Sequence, residues 1–129
     1  MIIFAMAQLR ITLYGISNCD TVKRARAWLA GQPYTVTFHD FKTLGVPADH
    51  LDRWIAAVGW ERLLNRQGNT WRKLDDRSRD AVVDTASARA LMLRYRSCIK
   101  RPVIEWGDGA GAPITVGFAA GFRAPDGAH

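Results

Sequence analysis

Cysteine is scarce in this chain: Cys19 and Cys98 are the two thiols among 129 residues. Position 22, where a Cys-x-x-Cys motif would place a second thiol, is Val22. A local dithiol disulfide is thereby excluded. Any bond formed by Cys19 must be resolved by another thiol, either a small molecule such as glutathione or Cys98. No cysteine or histidine spacing matches a zinc site, so no metal is expected. The three histidines, His39, His50 and His129, show no nucleophile or metal spacing and are expected at the surface. Long apolar runs are missing too, which excludes a membrane-spanning helix. Met1-Ile2-Ile3-Phe4-Ala5-Met6-Ala7 is apolar, but it is short and lacks the basic start of an export signal. Acidic residues number 12 against 18 Lys and Arg, a net charge of +6. That favours anionic partners. The bases are scattered, without an arm or dense cluster, so nucleic acid is not an expected partner.

What is present is ordinary for a globular protein: 48% apolar and 23% charged residues. The length fits one domain that buries roughly two-thirds of its unfolded surface without staples. So few cysteines in such a domain point to a reducing, cytoplasmic setting. The domain is expected over 9–123, with flexible termini at 1–8 and 124–129. No strongly apolar surface element is evident, so a monomer is expected.

Leu9 to Tyr14 reads as a strand ended by Gly15. Asp20 to Ala30 reads as a helix, with Val22, Ala25, Trp28 and Leu29 at helical spacing and Gly31 as its stop. Tyr34 to His39 alternates as a second strand, and strand, helix, strand makes a βαβ unit with parallel strands. A helical block over 47–97 follows. Pro47 opens a helix carrying Leu51, Trp54, Ile55 and Val58, then come a turn with Trp60, Leu63 and Leu64, a loop over 67–70, and a short turn from Trp71 to Leu74. Asp84 or Ser87 caps a last helix with Ala88, Leu91, Met92 and Tyr95. Arg101 to Trp106 is a strand that begins with proline, and Gly107 to Gly111 is a turn. Pro113 to Val116 returns antiparallel. Phe118 and Phe122 suggest a final short helix. This order, β-α-β, helical insertion, β-β-α, predicts an α/β thioredoxin-like fold with a mixed sheet.

Cys19 stands where the first strand gives way to the first helix. A thiol there receives the amides and positive dipole end of the helix, and both favour the reactive thiolate. Its neighbours Ser17, Asn18, Asp20 and Thr21 are polar, unlike the surroundings of a buried structural cysteine. Lys23, four residues on, shares its helix face. Pro102 can open a strand without its missing N–H, and in thioredoxin-type folds a cis-proline there faces the active cysteine. Arg101 would then point to the sulfur, steadying the anion or gripping an anionic substrate. Cys98 reads either as a resolving thiol or as packing at a helix end. The stretch Asn65-Arg66-Gln67-Gly68-Asn69-Thr70-Trp71-Arg72-Lys73 reads either as a solvated loop or as a cover over a substrate, with Arg66 or Arg72 supplying charge.

Three segments together, Tyr14 to Lys23, Leu63 to Leu74 and Ile99 to Val103, resemble the arsenate reductase-like family, ArsC/Spx. Within it the chain is most similar to the YffB branch. The resemblance runs from about Ile11 to Phe122. It implies Cys19 as nucleophile and Arg101, before a cis-proline, as the group that binds oxyanion or substrate. Arsenate-reducing members use glutathione and glutaredoxin. They carry a histidine and a serine where this chain has Gly15 and Val22, and a final arginine in the stretch around Gly117, where this chain has none. The reading that follows is a glutathione-dependent thiol-disulfide reductase with no tightly bound cofactor and glutathione as co-substrate. Asn18, Thr21, Lys23, Arg66, Arg72, Arg101 and Pro102 are its expected substrate-binding residues. The alternatives are arsenate reduction, or a non-enzymatic Spx-like regulator that binds RNA polymerase.

Overall fold

A computed structural model describes residues 9–126. The segments 1–8 and 127–129, expected to be flexible, lie outside the described residues, and so does His129.

Strand β1, Leu9–Gly15, is followed by helix α1, Asp20–Ala30, and strand β2, Tyr34–Asp40. β1 and β2 pair in parallel, Leu13 opposite Phe38. A right-handed crossover through a helix is the connection such a pair needs. The insertion follows as α2 (Phe41–Leu44), α3 (Ala48–Val58), α4 (Trp60–Leu63), α5 (Asn69–Lys73), α6 (Asp76–Asp80) and α7 (Thr85–Arg94), closed by a 3₁₀ turn at Arg96–Cys98. Strands β3, Val103–Glu105, and β4, Ile114–Val116, complete one sheet in the order β2-β1-β3-β4. β3 runs antiparallel to both β1 and β4. The expected thioredoxin-like architecture and mixed sheet are therefore present.

The period of two along the strands divides the interior. Ile11, Leu13, Ile104 and Trp106 join Val22, Ala25 and Leu29 of α1 on one face. Tyr14 and Val103 join Leu51, Trp54, Ile55, Ala88 and Met92 of the insertion on the other. Gly15 is small because α1 comes close: a Cβ there would lie 2.7 Å from Cγ2 of Val22.

Several expectations are corrected. Phe118 and Phe122 belong to no helix; the chain there is irregular, and Gly121 turns it at φ 79°. The two rings still pack, edge-to-face or tilted, on Trp28 and on each other. Helices α2 and α6, of four and five residues, are too short to show the apolar periodicity that reveals longer ones. Asn69 and Thr70 open α5 rather than forming a loop. Asp84 is the cap of α7, and Ser87 completes a reciprocal capping box. His39 and His50 are half-buried rather than at the surface, His39 bonding the Gly45 carbonyl at 2.9 Å. Ala124, placed in the terminal tail, packs against the core on the α1 side.

Candidate active site around Cys19

Cys19 is the N-cap of α1, with extended backbone at φ −94° and ψ 124°. At that position a side-chain acceptor faces the amides of N2 and N3. Here these are Thr21 and Val22. The thiol is half-buried against the α1 core. Burial, the largest single influence, opposes ionisation. The Val22 amide, the Arg101 guanidinium as donor and charge, and the Thr21 amide together outweigh it. They hold Cys19 below the ordinary cysteine value. The helix start and one arginine thus favour a thiolate with access to solvent.

Arg101 is placed by the insertion. An antiparallel bridge joins Leu64 to Ile99, with the Asn65 amide donating to Cys98 O and the Lys100 amide to Leu63 O, both at 2.8 Å. The chain then enters β3 through a cis peptide at Arg101-Pro102. Nη1 of Arg101 donates to Ser97 O at 3.3 Å, which anchors the guanidinium. Its Nε is buried and meets no protein acceptor among the described residues. A buried donor without a partner is costly, and this one belongs to the guanidinium that also acts on the thiol.

The other expected residues divide. Asn18 and Lys23 are exposed beside the loop; the Lys23 backbone amide donates to Cys19 O at 2.9 Å. The charge acting on the sulfur comes from Arg101. Arg66 stands over Trp60 and Trp71, 5.7 and 5.9 Å from the ring centroids. Arg72 is exposed on α5. Neither acts on the Cys19 sulfur in this arrangement. Cys98 is fully buried in the insertion core. Its burial pushes the thiol up, against the lowering effect of Arg101.

One group escaped the sequence reading. Glu105 is buried in β3, accepts from Tyr14 Oη at 2.9 Å and from Trp54 Nε1 at 2.8 Å, and lies 2.7 Å from His50 Nδ1. The bonds tie the end of β1, next to the Cys19 loop, to β3, just after Arg101-Pro102, and both to α3. The signal was available. With period two, Glu105 shares the face of Val103, so a carboxylate had to find donors inside.

A model of the ArsC family matches residues 14–120, which span the thiol loop, the insertion and the proline strand. The chain belongs to the ArsC family. Solved ArsC-related structures support the same assignment. The YFFB protein is 47% identical, with TM-score 0.75 over 84% of this chain and 91% of that one. An arsenate reductase (ArsC) related protein from Brucella melitensis is also 47% identical, with TM-score 0.68 over 88% and 91%. An uncharacterized protein of Haemophilus influenzae is 37% identical over 94 residues, 73% of this chain and 82% of its own. ArsC membership and the geometry at Cys19 together support a thiol-based reductase. Among the described residues no helix is long and apolar enough to cross a membrane.

Proposed function

We propose that this ArsC-family protein is a glutathione-dependent thiol-disulfide reductase that works through Cys19 alone. The observation that carries the reading is the sulfur at a helix N-cap, lowered in pKa by two amides and Arg101 beside Pro102. The Cys19 thiolate attacks the glutathione sulfur of a glutathione-linked substrate. A Cys19–glutathione disulfide forms, the substrate disulfide breaks, and the substrate sulfur leaves as a thiolate. A second glutathione thiolate then attacks the mixed disulfide. Oxidised glutathione is released and the Cys19 thiolate returns, so two glutathione sulfurs end as one disulfide and the substrate gains the electrons.

The Arg101 guanidinium suits a carboxylate of glutathione, since it offers directional donors. In this proposal Arg72, Arg66, Lys23, Asn18 and Thr21 supply the further contacts to glutathione or substrate. Cys98 takes no part in this cycle: a fully buried thiol with a raised pKa is a poor resolving nucleophile. The reaction belongs to the cytoplasm, where glutathione is reduced and abundant. The test is release of glutathione from a glutathionylated peptide by the native protein and by Cys19→Ser. Turnover should vanish in Cys19→Ser and persist in Cys98→Ser. Undiminished turnover in Cys19→Ser would remove the mechanism.

A further inference from the structure

The irregular chain from Phe118 to Phe122, which follows the stretch bonded to Pro102, is a wall shared by two open clefts. One, of about 630 Å³, lies between this wall, β4 and the ends of α3 and α4, and it carries Arg62 and Lys100. The other, of about 590 Å³, lies between the wall and α1, and it carries Arg24. No acidic side chain lines either cleft. Three cations from three parts of the fold therefore flank one short stretch of chain.

The wall is also open at its backbone. The amides of Phe118, Ala119, Ala120 and Gly121 donate to no backbone acceptor among the described residues. Ala119, Ala120 and Gly121 are exposed, and their small side chains leave those donors uncovered. The place joins the site directly. The Gly117 amide donates to Pro102 O at 2.8 Å, and Lys100 precedes the Arg101 that acts on the sulfur.

We propose that this wall and its two clefts dock an acidic, extended segment of a protein that brings a glutathione-linked cysteine to Cys19. The proposal rests on the thiol-exchange reading and adds its substrate class. Cations on opposite sides of the wall cannot all be met by one carboxylate, whereas a chain with several acidic side chains meets them together. Its carbonyls answer the open amides. Phe118 and Phe122 offer apolar contact on the same wall. Once docked, Cys19 takes the glutathione sulfur and the partner leaves as a thiolate, in the step balanced above. Attraction of this kind acts mainly on the association rate and fades with salt.

The experiment compares two glutathionylated peptides of equal length, one with aspartate and glutamate around its cysteine, one with lysine. At low ionic strength the native protein should deglutathionylate the acidic peptide about tenfold faster, and salt should erase the advantage. Arg62→Glu combined with Lys100→Glu should abolish or invert the preference. Arg94→Glu, an equal charge reversal on α7, should retain it. Equal rates for the two peptides, or a preference that survives the double reversal, would overturn the proposal. If no peptide is processed at all, the thiol reading fails separately. Docking is then read by fluorescence anisotropy of a cysteine-free acidic peptide on Cys19→Ser. Binding that the double reversal abolishes supports the surface, and no binding overturns it.

Discussion

At the residue scale, the chemistry of Cys19 depends on who faces its sulfur. Burial alone would raise its pKa, and the helix amides with Arg101 reverse the sign. Arg101→Ala removes both a donor and a charge, so the midpoint for alkylation should move upward. At neutral pH the variant should react more slowly with iodoacetamide, while both proteins converge at high pH where each thiol is ionised. A pH series of alkylation rates checks this, and coincident curves would show that Arg101 does not act on the thiolate. Gly15 is a packing requirement. Val22 is fully buried and stiff at χ1, so its Cγ2 cannot yield to a Cβ at 2.7 Å. Gly15→Ala should cost roughly 1–3 kcal/mol in denaturant unfolding. Gly15 and Val22, on either side of the Cys19 loop, are thus one packed unit in this chain.

At the scale of elements, α7 closes the insertion just before the turn that leads to Arg101. Its start is held by the box between Asp84 and Ser87. Hydrogen bonds from the Ser87 hydroxyl and amide depress the Asp84 carboxyl pKa. A group depressed in the folded state stabilises it fully above the unfolded carboxylate value and loses that contribution as pH falls through the folded value. Asp84→Ala should therefore lower the melting temperature at neutral pH and make little difference in strong acid. Hydrogen exchange should show the first turn of α7 opening before the sheet does. The short helices α2 and α6 make the converse point. Each is held by an aspartate cap, Asp40 and Asp75, and each carries too few apolar residues for periodicity to reveal it.

At the scale of the whole molecule, the sheet separates two cores, and one buried carboxylate links the strand that leads to the thiol with the strand that follows the arginine. Glu105→Ala would leave Tyr14 Oη and Trp54 Nε1 without their acceptor inside the insertion core. The expected loss is roughly 3–5 kcal/mol, read by chemical denaturation. Glu105→Gln, which keeps an acceptor, should lose less. A near-neutral Glu105→Ala would mean that water enters to satisfy both donors. The positive balance of the chain also gains a place at this scale. Scattered along the sequence, Arg24, Arg62 and Lys100 converge on the wall at Phe118 to Phe122 only when α1, α4 and the entry to β3 assemble.

The sequence by itself determined the β-α-β start, the parallel pair, the hairpin, and a thiol at a helix start beside an arginine and a proline. Those features are local: period, turn residues and caps act over a few neighbours, and β1, α1 and β2 carry them undiluted. The irregular course of Phe118 to Phe122 was decided by tertiary contact, since Trp28 and Trp106 hold those rings without a helix. The burial of Cys98 and the partners of Glu105 and His50 were decided the same way. Each is set by elements far apart in the chain, and no pattern of neighbours reports the donors and charges that packing brings to one point.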